Sequence, residues 1–93
     1  MIIGTVVVEL NLPGVNSLKE KRRRIKSLLT RVRNKFNVSA AEVDYNDSHR
    51  RACLGVAIVS NDKQFSDQVI AKVINMIENE NEMYICDYQV EII

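Results

Sequence analysis

The spacing of the apolar residues switches along this chain between two, the repeat of a strand, and about 3.6, the repeat of a helix, in the order strand, helix, strand, strand, helix, strand. From Ile2 to Leu12 the even positions Ile2, Val6, Val8, Leu10 and Leu12 are apolar while Thr5, Glu9 and Asn11 break the odd face. Pro13-Gly14 ends this strand. Ser17 and Glu20 then match a capping box, in which the hydroxyl accepts from the amide three residues on and the carboxylate reaches back to the cap amide. Leu18, Ile25, Leu28, Leu29, Val32 and Phe36 recur at three, four and seven, which predicts a helix to about Phe36. Val38 to Tyr45 alternates imperfectly, with Ala40-Ala41 shifting the phase as a bulge or an edge strand does. After the turn residues Asn46-Asp47-Ser48, Arg51 to Ser60 is apolar or small on both faces and reads as a central strand, hairpinned to its predecessor. Ser60 or Asn61 is expected to cap a second helix whose members Phe65, Val69, Ile70, Val73, Ile74, Met76 and Ile77 cover about half its circumference. A last strand follows from Met83, with Tyr84, Cys86, Tyr88, Val90 and Ile92 on one face and Asp87, Gln89 and Glu91 on the other.

Two strand–helix–strand units with right-handed crossovers place both helices on one face of a four-stranded antiparallel sheet of order 4-1-3-2. The prediction is an α+β, ferredoxin-like β-α-β-β-α-β sandwich, one domain over residues 1–93, which at this length buries roughly 60–65% of the unfolded chain's surface. The other sheet face stays open, with Ile3, Thr5 and Val7 of the first strand beside Cys53, Ala57 and Val59 of the third. That patch is expected to serve a partner or self-association, as in a homodimer. No apolar run approaches the ~20 residues of a membrane span, and the N-terminal stretch lacks the basic start and cleavage site of a signal peptide. A cytoplasmic protein is expected, with Cys53 and Cys86 reduced and buried within apolar strand patterns.

The net charge of +1 hides a segregation along the chain. Residues 19–35 hold Lys19, Lys21, Arg22, Arg23, Arg24, Lys26, Arg31, Arg33 and Lys35 against Glu20 alone, whereas residues 60–93 hold two lysines against seven acids. With the apolar stripe inward, Arg23 points outward, Lys19, Arg22, Lys26 and Arg33 line one flank, and Arg24, Arg31 and Lys35 line the other. Lys21 falls at the core edge, where it is expected to snorkel. Like charges meet at 19/23, 22/26 and 31/35, each costing about 0.2–0.5 kcal/mol, and cations crowd the turns where the macrodipole favours anions. One reading is a solvated face whose bases pair with acids elsewhere in the fold. The sharper one is a polyanion surface, extended by Arg50 and Arg51 if the hairpin end lies nearby. RNA is preferred over a membrane, because the core uses the apolar stripe and no Trp or Phe is expected to be left exposed for a bilayer. Phosphate contact gives affinity without base readout, which suits structured RNA.

Catalytic constellations are thin. His49 is the only histidine and lies in a turn, where a solvated side chain is the simpler reading. No metal cluster is apparent, no cofactor is implied, and the two cysteines lack the spacing of a thiolate pair. Glu42 and Asp44 share a strand face and are expected to salt-bridge nearby bases rather than act as paired carboxylates. An RNA-stacking sheet needs aromatics on the central strands, and Tyr45, Tyr84 and Tyr88 fall elsewhere, expected to pack in the core with a wet hydroxyl. The loop from Leu12 to Ser17 lacks the glycine-rich cradle and arginine of the acylphosphatases, small enzymes of the same fold.

Several segments carry a resemblance: Ser17-Leu18-Lys19-Glu20-Lys21-Arg22-Arg23, Arg33 to Ser39, Ala41 to Asp44, Leu54-Gly55-Val56-Ala57 running into Val59-Ser60-Asn61-Asp62, and Asp87 to Ile93. Together they resemble the YlxP-like family of small bacterial proteins over nearly the whole chain, Met83 to Cys86 matching least. The resemblance implies a bacterial cytoplasmic protein of ferredoxin-like fold, often encoded beside translation initiation and ribosome-maturation factors, and it implies no activity. Three function classes follow: a noncatalytic factor binding structured RNA or a ribosomal particle through the first helix; an oligomeric or regulatory scaffold using the open sheet face; and, least favoured, a phosphoester enzyme around Pro13 to Ser17 and His49.

Overall fold

The computed structural model describes residues 1–93 and follows the predicted order: β1 (Ile2–Asn11), α1 (Leu18–Lys35), β2 (Ser39–Asp44), β3 (Arg51–Ser60), α2 (Lys63–Glu78) and β4 (Tyr84–Ile92). All pairings are antiparallel in the order β2-β3-β1-β4, which is the expected 4-1-3-2 viewed from the other edge. β1 and β3 pair without interruption from Ile2 opposite Ser60 to Asn11 opposite Arg51. Period-two alternation therefore sends Val6, Val8 and Leu10 to the same side as Ala52, Leu54, Val56 and Ile58, all buried. Ile25, Leu28, Leu29 and Val32 of α1 and Ile70, Val73 and Ile77 of α2 close over that side in one continuous core. Gly4 admits α2 closely: a Cβ there would lie 3.0 Å from Ile70 Cδ1 and 3.2 Å from Ile58 Cγ2 and Ile92 Cδ1.

The first helix starts as its sequence indicates. Ser17 Oγ accepts from the Glu20 amide at 3.1 Å, while Glu20 Oε2 accepts from the amide of Asn16, at 3.3 Å, one residue beyond the cap. The second helix departs from expectation, because its N-cap is Asp62, which accepts from the Gln64 amide at 3.0 Å. Ser60 is still paired with Ile2 in the sheet, so the chain leaves β3 too late for Ser60 to cap, and its hydroxyl meets Ser66 Oγ at 2.6 Å instead.

Two bulges redirect side chains. In β2 the register slips between Glu42 and Asp44, later than the Ala40-Ala41 step that suggested an irregularity. In β4, Asp87 stands opposite Glu9 and Ile85 opposite Leu10, so Cys86 is the extra residue. This slip turns Tyr84 onto the opposite face from Tyr88 and Val90, correcting the single-face assignment. It also leaves Cys86 exposed rather than buried. Tyr84 and Tyr88, at 60% and 47% exposure, are surface residues of an edge strand rather than core members.

Candidate nucleic-acid interface

The basic residues of α1 divide by what the rest of the fold offers them. Lys21 does not snorkel; it is fully buried. Its Nζ lies 2.6 Å from Glu42 Oε2 and donates to the carbonyls of Tyr45 at 2.8 Å and Arg51 at 3.1 Å. The Glu42 oxygen has no other partner, so the ammonium is its whole compensation. This ion pair is the salt bridge expected of Glu42, and it clamps α1 onto both strands of the hairpin. Tyr45 turns with φ of 59°, a left-handed backbone that costs a non-glycine residue about 1–2 kcal/mol. The clamp on its carbonyl and the Arg51 guanidinium, 4.1 Å from its ring centroid, hold it there.

Five of the predicted interface cations have partners within the chain. Arg24 donates to the Asn81 carbonyl and lies 3.7 Å from Glu82. Arg31 pairs with Glu80. Arg33 donates to the Ala40 carbonyl at 2.8 Å, tying the end of α1 to the edge strand. Arg50 reaches the Val15 carbonyl at 3.4 Å, which brings the hairpin end against the loop before α1, and Arg51 spans Tyr45 and Glu9. The partners of Arg24 and Arg31 come from the turn after α2, and the acidic run Glu78, Glu80, Glu82 was the sequence signal for them. Lys35 lies 5.8 Å from the Phe36 ring centroid.

Lys19, Arg22, Arg23 and Lys26 are different. All four are exposed, and none makes an ion pair or hydrogen bond within the chain. With Ser17 and Glu20 they surround a shallow hollow that no hydrophobic residue lines. At ~1.5 Å of rise per residue they span about 10 Å along the helix axis. His49 is exposed at the hairpin end beside Arg50, as expected of a loop histidine, and the Ser17 hydroxyl is occupied as the helix cap.

The open sheet face has the predicted composition with one exception. Val7 and Val59 are exposed, and Ile3, Thr5 and Ala57 partly so, but Cys53 is buried although it sits on this face. Register is the reason: Glu9 of β1 and, through the β2 bulge, Asp44 stand on either side of it and close over the thiol. Burial, followed by the charges of Glu9, Asp44 and Glu42, raises its pKa and keeps the sulfur protonated, a poor nucleophile. Sequence reading missed Ala41, Val43 and Gly55, which complete the apolar surface around Val7. It also missed Phe65 of α2, which is 51% exposed although no exposed Phe was expected. The apolar arc of α2 is wider than the strip of sheet it covers.

No group of three or more His, Cys, Asp or Glu side chains is arranged to hold a metal ion, and no helix is long and apolar enough to cross a membrane. A family model described as a protein of unknown function, DUF503, matches residues 3–90. The uncharacterized protein YlxP of Bacillus subtilis (strain 168) is 38% identical over 78 residues, which cover 84% of this chain and 85% of that protein.

Proposed function

The chain belongs to the DUF503 family, and from that premise we propose that it is a noncatalytic RNA-binding or ribosome-associated factor whose α1 holds the phosphate backbone of structured RNA. The observation that carries this reading is the division among the cations of α1 and the neighbouring hairpin end. Arg24, Arg31, Arg33, Arg50 and Arg51 are engaged by carbonyls and carboxylates of the fold, whereas Lys19, Arg22, Arg23 and Lys26 have no role in it. Those four repel one another at 19/23 and 22/26, and none of them makes an ion pair within the chain. A row of phosphates offsets the repulsion.

Contacts of this kind position a protein on a duplex or fold without reading bases. Arg50 reaches from the hairpin end to the Val15 carbonyl, so the hairpin end lies beside the start of α1 and its cations. A cytoplasmic location accompanies the reading, since that is where such RNA is found.

The test is a salt titration of binding to structured RNA. Four phosphate contacts give a log affinity against log salt slope of about −3 to −4, and reversing Arg22, Arg23 and Lys26 to Glu abolishes binding while the fold persists. A flat salt dependence, or undiminished binding by the triple variant, overturns the proposal.

A further inference from the structure

We propose that the open sheet face is the interface of a homodimer in which the second copy stacks with its sheet reversed end for end. The pairing register arranges this face in rows that cross the strands. One row holds Asp44, Cys53, Glu9 and Asp87, so three carboxylates stand together at one end, countered only by Arg51 next to them. The next row holds Ala41, Gly55, Val7 and Gln89, and the one beyond it Ser39, Ala57, Thr5 and Glu91. Val59 and Ile3 follow. From Val7 to Ile3 the strands β2, β3 and β1 therefore carry no charge on this face, Glu91 of the edge strand β4 being the one charge in the span, in a chain of which 27% is charged.

The surface is also flat. Its side chains are small, and Val43 lies across Gly55, where a Cβ would approach Val43 Cγ1 to 3.0 Å. The valine fills the place a larger residue at 55 would occupy. Strands β1 and β3 of ten residues, about 33 Å long, in a sheet about 19 Å wide give a footprint near 600 Å² per copy. Two such faces bury about 1,200 Å², the lower bound of stable protein interfaces. A flat surface of that size, uncharged over β2, β3 and β1 away from its carboxylate end, is matched by another of the same kind, and aligned sheets pack face to face at about 10 Å with strand directions within about 30°.

Charge selects the orientation. Stacking the two copies in the same sense superposes the two three-carboxylate rows. Reversal about an axis lying in the sheet plane, across the strands between the Val7 and Thr5 rows, separates the carboxylate rows to opposite ends. It also carries Asp44 of each copy toward the uncharged start of β2 in the other. The α1 helices lie on the outer sides of such a dimer.

Sedimentation of the full chain over a range of concentrations tests this. The expected result is a concentration-dependent shift to twice the monomer mass, lost in Val7→Lys and in Thr5→Lys, each retaining the wild-type far-UV spectrum and a single cooperative thermal transition. Thr5 already carries a polar side chain, so its variant keeps the test open if Val7→Lys folds poorly. Asp44→Lys relieves the superposed carboxylate rows and strengthens association in the like-sense arrangement, and gives no such gain in the reversed one. A wild-type chain that stays monomeric at all concentrations, lysine variants that dimerise as wild type, or tighter association by Asp44→Lys each overturns the proposal.

Discussion

Lys21 and Arg22 are neighbours with the same charge, yet they belong to two different regions of the molecule. Lys21 lies on the inner edge of α1, where Glu42 and two hairpin carbonyls surround its ammonium and no water reaches it. Arg22, with Lys19, Arg23 and Lys26, lies on the outer face with no partner. Burying an ion costs several kcal/mol, and the inner site recovers this only while carboxylate and carbonyls are all in place. The outer site has no such dependence. Local charge density, the most visible property of this helix in its sequence, therefore combines one cation essential to folding with four that folding does not use.

The sharpest way to break that comparison is to neutralise one member on each side. Lys21→Met is expected to destabilise by about 3–5 kcal/mol, because the shielded Oε2 of Glu42 is left uncompensated. That is a large part of the ~5–15 kcal/mol available to a domain, and it reads as a fall in the urea midpoint. The double variant Lys21→Met with Glu42→Leu recovers most of the loss if the pair is the cause. Ser17→Ala, which removes the cap but touches neither set of cations, costs about 1 kcal/mol by the same measurement. Arg31→Ala loses an ion pair whose arginine side chain is 45% exposed, and screening holds the effect to about 0–1 kcal/mol. Replacing Arg22 and Lys26 by Gln has the smallest effect on stability and the opposite sign, a gain of about 0.2–0.5 kcal/mol that fades with added salt. If that pair of substitutions destabilised the fold instead, the division between inner and outer cations would fail.

The sequence legibly carried the element order, the sheet order and the start of α1, because each rests on a period or a cap that acts within a few residues. The core face of β1 followed from alternation alone. What escaped were features decided by the meeting of distant segments. Helical phase put Lys21 at the core edge, but only the placement of Glu42, Tyr45 and Arg51 turns that edge into a closed site. One extra residue at Cys86 reversed the sides of Tyr84 and exposed the thiol, and nothing in the local composition announces the slip. Cys53 is buried as expected, but on the open face, where Asp44 arrives beside it through a bulge in another strand. On the candidate interface, helical phase already placed Arg23 outward and Lys19, Arg22 and Lys26 on one flank of α1, where they are unpartnered. The ties of Arg24 and Arg31 needed the position of the turn after α2.

The clamp at Lys21 has a consequence in time as well as in energy. It binds residues 21, 42, 45 and 51 across α1, β2 and β3, so the hairpin cannot open at its loop while the helix stays docked. Surface hairpin ends ordinarily fray and exchange their amide protons quickly. Here fraying next to residues 45–51 requires the helix to leave as well, which makes hydrogen exchange at the paired ends of β2 and β3 as slow as the opening of the first helix itself.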